Sequence, residues 1–316
     1  MEIYKTKDNK VTKYIHDDGS ETAIKHSFES PTEKHGEFSK ITNKFNVFIS
    51  SSVGCRIKCS FCYLTLKKVP FFRLTKEEIT KNVIDAITHQ VNLFPELKNQ
   101  YVKLSWMGMG DACINFQKTI DITKLIVKEI IDKKLCKGID NIDISTMLPQ
   151  SFKTGSLKYY VEKLNDLLID IPINPLRESE PKVRIFYSLH SSLDSVRNKM
   201  IPHAKKIEEA FNELKSIPFD NAKVIIHHMF LEGVNDSQED IQNLIKLMTD
   251  PENKNYQLRI LRYNKCDYSI DEESLLFVEI IKKINEKIEN MKVQISPGSS
   301  VKAACGQFLL TQFEKG

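Results

Sequence analysis

The chain has 316 residues, 41% hydrophobic and 28% charged, with a formal net charge of +4. That length can bury a large core in one large domain or two small ones, and the balance is that of a soluble globular protein rather than a disordered chain. No apolar run is long enough to cross a bilayer, and Met-Glu-Ile-Tyr-Lys-Thr-Lys at the start lacks a signal-peptide core, so no membrane association is expected. The pI of about 8.5 tolerates a nucleic-acid partner without demanding one, since dedicated binding domains often exceed pI ~9. Seven cysteines, an odd number with three close together, point to a reducing cytoplasm.

In chain order, residues 1–45 are polar and turn-rich. Asp8-Asn9 and Asp17-Asp18-Gly19 separate short alternating runs, which predicts a β-meander. From Asn46 to about residue 298, strands and helices alternate. Strands are predicted at Asn46–Ser52, Tyr101–Met109, Asn141–Met147, Val183–His190, Lys223–Leu231, Gln257–Tyr263 and Lys292–Ser296. Most are near-continuous apolar runs, as expected of parallel strands covered by helices. Thr75 with Glu78 reads as a capping box, Ser237-Gln-Glu-Asp240 as a helix start, and Glu272–Met291 as an amphipathic helix. Lys153–Pro181, with Pro172, Pro175 and Pro181, reads as an insertion or a substrate loop. The α/β pattern predicts a (β/α)6 partial barrel with its chemistry at the C-terminal strand ends. Residues 299–316 form a C-terminal extension carrying Cys305.

After the first barrel strand comes Val53-Gly-Cys-Arg-Ile-Lys-Cys-Ser-Phe-Cys-Tyr63, a Cys-x3-Cys-x2-Cys loop of Cys55, Cys59 and Cys62. Three thiolates on one short loop can hold three irons of a 4Fe–4S cube and leave the fourth open. A structural zinc site is the alternative, but it uses four closed ligands, and the next cysteine and histidine are as distant as Cys113 and His89. This loop resembles that of the radical S-adenosylmethionine (SAM) superfamily, whose open iron chelates SAM and cleaves it to a 5′-deoxyadenosyl radical.

Further stretches at the strand ends resemble the radical SAM adenosine methyltransferases, which methylate an adenine ring carbon in ribosomal or transfer RNA. The likeness runs from about Ser20 to Phe308. In Met107-Gly-Met-Gly-Asp-Ala112 the glycines allow close backbone approach to a ligand, and the resemblance puts Asp111 and Ala112 at the SAM ammonium. It likewise implies SAM contacts from Ser145, from Ser188, Leu189 and His190 in Phe186-Tyr-Ser-Leu-His-Ser191, and from Asn264; Ser145 and Asn264 read equally as strand-terminating polar residues. Leu231-Glu-Gly-Val-Asn-Asp236 matches the family but reads as structure. Ala303-Ala-Cys-Gly-Gln-Phe308 matches the family's C-terminal loop, which makes Cys305 the methyl-accepting carrier. Glu21 matches a glutamate that removes the ring proton; its alternative is a solvated surface carboxylate. A flavodoxin- or ferredoxin-type electron donor is implied as partner, with an RNA or nucleotide substrate.

The chain departs from the family in three places. Phe48 stands where the resolving cysteine is expected, seven residues before Cys55. Cys113 reads either as its substitute or as the first apolar residue of the next helix, while Cys136 and Cys266 read as structural. The first barrel strand begins too early for the family's N-terminal helical domain. Before Cys305, Ile295-Ser-Pro-Gly-Ser-Ser-Val301 lacks the family's charged stretch, which removes phosphate-contacting groups. A radical SAM enzyme that takes hydrogen directly from a small molecule, nucleotide or peptide is the competing expectation.

Overall fold

The computed structural model describes residues 1–7, 10–26, 43–265 and 269–294. One ten-stranded sheet runs in chain order: β1 (Glu2–Lys5), β2 (Val11–Ile15), β3 (Glu21–His26), β4 (Lys44–Ile49), β5 (Tyr101–Trp106), β6 (Gly138–Thr146), β7 (Val183–Ser188), β8 (Ala222–His228), β9 (Gln257–Leu261) and β10 (Met291–Gln294). Strands β1 to β4 pair antiparallel, and β4 to β10 pair parallel. The meander therefore continues the barrel sheet, with Ala23 of β3 opposite Phe48 of β4. All seven predicted barrel strands are present, each trimmed or extended by a few residues.

Among the described residues, eight α-helices connect them: α1 (Tyr63–Leu66), α2 (Lys76–Leu93), α3 (Phe116–Asp132), α4 (Ser156–Asp166), α5 (Asp194–Met200), α6 (Ile207–Lys215), α7 (Gln238–Thr249) and α8 (Phe277–Asn285). Every parallel crossover carries at least one of them, which gives six β/α units and a partial barrel. Helix α2 starts with the predicted capping box, Thr75 and Glu78 each bonding the other's backbone N–H. Helix α7 starts at Ser237, whose hydroxyl accepts from the Asp240 amide.

Two expectations are corrected. Lys153–Pro181 is no uniform loop: it forms the β6–β7 crossover and carries α4 over Ser156–Asp166. Leu157, Tyr160, Val161 and Leu164 recur at helical spacing and are fully buried. Their apolar stripe, rather than the later prolines, decides the segment. Helix α8 covers only the middle of Glu272–Met291. Arg262 Nε grips both oxygens of Glu273 at 2.8 and 2.9 Å, and Glu232 accepts from the Leu275 amide at 2.6 Å, so 272–275 stays in the loop.

The lumen side of the sheet is more polar than apolar runs suggest. Arg184 makes a two-pronged bond to Asp143 at 2.7 and 2.8 Å, and Lys103 adds a contact at 3.2 Å. Burial opposes the Asp143 charge, but Arg184 and then Lys103 outweigh it and hold the carboxyl well below its usual range. Among the described residues, no helix is long and apolar enough to cross a membrane.

Candidate active site

A cavity opens at the C-terminal ends of β4 to β9. Cys55, Cys59 and Cys62 line it from the β4 exit, Gly110 and Asp111 from β5, Ser145 from β6, Ser188 and His190 from β7, Met229 from β8 and Asn264 from β9. Residues scattered over two hundred positions meet because the parallel strands β4 to β9 all end on the same side.

The cysteine loop is anchored at both ends. Val53 and Phe72 exchange backbone hydrogen bonds at 3.1 Å, and Ser60 N–H donates to Met200 O at 2.9 Å. Gly54 turns with φ +64°, and a Cβ there would meet Pro70 O at 2.5 Å, so the position requires glycine. Between the anchors the chain alternates: Cys55, Ile57 and Cys59 face the cavity, while Arg56, Lys58 and Ser60 face water. Burial pushes the Cys55 thiol up to about 12 and Cys59 well above its usual value, each reinforced by neighbouring thiols. Uncharged thiols suit the metal-free chain, and metal uptake must release their protons. Among the described residues, no three His, Cys, Asp or Glu side chains converge as a single ion requires. Three thiols on one cavity are the ligand number that a 4Fe–4S cube with one open iron takes.

Asp111 closes the β5 side. Its carboxylate accepts from Cys113 N–H at 2.8 Å, Met147 N–H at 2.8 Å and the Thr146 hydroxyl at 3.0 and 3.1 Å. Burial nevertheless raises its pKa to about 6, against the lowering effect of those donors. The carboxylate thus ties β5 to β6 as well as facing the cavity. Gly108 and Gly110 line the cavity and also pack closely against the serines after β4. A Cβ on Gly110 (φ +92°) would lie 2.2 Å from Ser51 Oγ, and one on Gly108 would lie 2.5 Å from Ser50 Oγ.

The β7 exit is held from three sides. His190 adopts φ +56°, a left-handed conformation unusual for a residue with a Cβ. The Asn235 amide donates to the carbonyls of His190 and Met229 and accepts from Leu231 N–H at 2.7 Å. Asp240 accepts from the Ser191 hydroxyl at 2.5 Å and from the Ser192 amide at 2.6 Å. Arg197, 2% exposed, spreads its guanidinium over the carbonyls of Leu189 (3.0 Å), Lys205 (2.7 Å), Met147 (3.0 Å) and Ser188 (3.3 Å). So fixed, the His190 ring lies edge-on to Phe61 at 5.2 Å, against the cysteine loop. Burial, then His228 and Arg197, keep that ring neutral, and its Nδ1 has no partner among the described residues.

Other expected site residues lie elsewhere. Ala112 and Leu189 are buried behind the wall, because side chains alternate across a strand exit and only every second one faces the cavity. Cys113 is 1% exposed and packed in the main core. Burial raises its thiol well above the usual value, so the substitute-resolver expectation is corrected to the structural one. Cys136 is also core, its thiol donating to Gly138 O at 3.2 Å. Glu21 is fully buried, 2.9 Å from Lys13, not a solvated carboxylate, and the Ser50 hydroxyl donates to its carbonyl at 2.6 Å. Cys266 and Cys305 lie outside the described residues.

No protein-family model matches the chain. The dual-specificity RNA methyltransferase RlmN of Wolinella succinogenes is 27% identical over 270 residues, covering 84% of this chain and 66% of that protein. The probable RlmN of Malacoplasma penetrans is 26% identical over 286 residues, 85% of this chain and 68% of that one. The chain thus spans about two thirds of the length of these relatives. A radical SAM methyltransferase from Sphaerobacter thermophilus superposes with a TM-score of 0.69 at 21% identity, over 97% of this chain and 80% of that structure. The chain resembles the radical SAM methyltransferases. At these identities the solved structure establishes the partial-barrel fold.

Against this radical SAM frame, sequence reasoning missed the groups that hold the cavity walls in place. Arg197, Asn235 and Asp240 bind backbone four to fifty residues away in the chain. Asn235 belongs to the Gly-Val-Asn-Asp stretch read as structure; its structural work is to position a cavity residue. The aromatic pair Phe61 and Tyr263 and the thioethers Met107, Met147 and Met229 also line the cavity. No spacing rule singled them out.

Proposed function

We propose that this protein is a radical SAM enzyme of the methyltransferase type, acting on an adenine-type base in RNA through a methyl group carried on Cys305. The observation that carries the reading is the convergence of three thiols with Asp111, Ser145, Ser188, His190 and Asn264 on one cavity. The donor set fits a 4Fe–4S cluster and SAM: three soft sulfur ligands, a largely apolar wall that carries the polar groups of Asp111, Ser145, Ser188 and Asn264, and an unpartnered buried ring nitrogen on His190.

Cys55, Cys59 and Cys62 would hold the cluster, which with SAM bound would supply one-electron reductive cleavage of SAM. Ser145, Ser188 and Asn264 present polar groups to the amino-acid and ribose parts of SAM. His190 offers a neutral ring nitrogen, held in register by Asn235. Asp111, already bonded to the β6 exit, fixes the wall on which the SAM amine rests. Glu21 is kept for the ring proton; in the ion pair with Lys13 it needs that partner to move or the substrate to enter beside it. An external one-electron donor completes the system.

The test is anaerobic reconstitution with methyl-labelled SAM, followed by mass analysis of the Cys305 peptide. A labelled methyl on Cys305 is expected, and Cys305→Ala should lose methyl transfer while still forming deoxyadenosine. Undiminished methylated product from that variant sinks the reading.

One observation favours a second reading. Phe48 packs half-buried against the core, and Cys113 and Cys136 are buried, so among the described residues no cysteine beyond the three loop thiols lines the cavity to resolve a covalent adduct. An enzyme that takes hydrogen directly from its substrate needs no resolver. Transfer of labelled hydrogen from substrate into deoxyadenosine, with Cys305 unmodified, identifies that case.

A further inference from the structure

The two faces of the barrel strands differ. On β4, Phe45, Val47 and Ile49 are buried, whereas Lys44, Asn46 and Phe48 on the opposite face keep some solvent contact, although the strand lies inside the sheet. Lys25 on β3, Lys103 on β5, Arg184 on β7 and Arg259 on β9 keep it too. The lumen below the cavity therefore borders open space rather than a fully packed core.

Register places charge in that space. Ser145, Ser188, Met229 and Leu261 line the cavity. Two residues earlier on the same strands and the same face, about 7 Å deeper, stand Asp143, Phe186, His227 and Arg259. Arg259 lies 5.3 Å and Arg184 5.4 Å from the centre of the Phe186 ring, and the His227 ring lies 4.9 Å from it. Arg184 and Lys103 already share Asp143, and among the described residues neither Lys25 nor Arg259 forms an ion pair. Arg259 donates instead to the side-chain oxygens of Gln257 at 2.8 Å and Gln294 at 3.0 Å, which leaves its charge unmatched. Burial, with Arg184 adding to it, brings the Arg259 pKa down to about 10. The Nε2 of His227, a residue 6% exposed, has no partner among the described residues. Unmatched cations and an unused ring nitrogen are costly where water is scarce, and one anion among them relieves both.

We infer that the lumen floor of Arg259, Arg184, Lys103 and His227 holds the phosphate group of a nucleotide substrate whose base occupies the cavity above. The inference rests on the adenine-base reading and deepens it. A phosphate brings more negative charge and more acceptor oxygens than a carboxylate, which suits an excess of cations with guanidinium donors. One ribose separates a base from its phosphate, which suits two levels about 7 Å apart.

The test is calorimetry on the anaerobically reconstituted full chain with SAM. The ligands are adenosine, adenosine 5′-monophosphate, an adenosine trinucleotide without terminal phosphates, and inorganic phosphate alone. Wild type is compared with Arg259→Gln, which keeps an amide beside Gln257 and Gln294, and with Lys103→Gln, which leaves Asp143 its Arg184 partner. Circular dichroism confirms that the variants fold. A phosphate-bearing ligand should bind wild type at least about tenfold more tightly than adenosine. Each variant should lose most of that advantage with adenosine affinity unchanged. An advantage for the monophosphate identifies a terminal phosphate, and one for the trinucleotide identifies a phosphate within a chain; both uphold the site. Equal affinity for adenosine and both phosphate-bearing ligands overturns it and leaves the adenine reading standing. So does an advantage that survives in both folded variants. Inorganic phosphate that binds wild type and not Arg259→Gln, with no adenine ligand bound, upholds the anion site and overturns the adenine reading.

Discussion

Replacing Arg197 by Met should loosen the cavity wall without touching a ligand-facing side chain. The guanidinium donates to four carbonyls, at Leu189, Lys205, Met147 and Ser188, and so joins the β6 and β7 exits to the loop after α5. Methionine keeps the length and removes every donor. Four buried acceptors then lose a partner at about 1 kcal/mol each. Relief of burying the charge offsets part of this, leaving a net loss of about 3 kcal/mol. With an unfolding entropy near 2.1 cal/mol/K per residue, a chain of 316 residues moves its Tm by about 1.5 °C per kcal/mol. Thermal unfolding by circular dichroism should therefore show Arg197→Met about 5 °C below wild type. Arg197→Lys, which keeps the charge with fewer donors in poorer geometry, should fall roughly midway. SAM affinity should drop about tenfold in the Met variant, because Ser188 and Met147 both line the cavity. A Met variant within about 1 °C of wild type, with unaltered SAM binding, refutes the clamp.

Gly110→Ala places a methyl 2.2 Å from Ser51 Oγ at a φ of +92°, so we expect a loss of about 2–3 kcal/mol, read as lowered Tm; a neutral result would show that the serine loop is free to move. Asp111 has its folded pKa raised from 3.8 to about 6, so its contribution is fully present below about pH 4 and is lost as pH rises through 6. That amounts to roughly 3 kcal/mol. The Tm of wild type minus that of Asp111→Asn should be larger at pH 4 than at pH 7.5, and equal differences would contradict the burial of that carboxyl. Cys59→Ala should leave iron and sulfide contents near zero after reconstitution while the fold persists; full iron loading would remove Cys59 from the ligand set. Glu21→Gln leaves Lys13 without its buried carboxylate, and a loss of about 3 kcal/mol in unfolding free energy is expected by denaturant titration. An unchanged midpoint would mean that the pair contributes nothing to stability.

Much of the fold was legible because its signals are local. Strand runs, the Thr75–Glu78 box and the Ser237 cap depend on neighbours within four residues, and each stands where the sequence places it. The cysteine loop was legible for the same reason: eight residues carry three thiols on alternating and turn positions, whatever the rest of the chain does. Helix α4 was misread although its stripe was visible, since the prolines after it drew the segment toward a loop.

Facing direction beyond the strand ends was not legible. Asp111, Ser145, Ser188, His190 and Asn264 reach the cavity, whereas Ala112 and Leu189, one position away from expected contacts, point into the core. A one-residue change in register inverts the face, and no local signal sets it once the strand has ended. At His190 the decision is made by a left-handed backbone that Asn235, forty-five residues on, holds in place. The burial of Glu21 with Lys13 and of Cys113 beneath Asp111 follows from strands and loops stacked after chain closure. Residue types and their spacing determined which chemistry this chain could carry. Only the tertiary structure decided which groups share the cavity, because long-range hydrogen bonds and burial, not sequence neighbours, aim the side chains.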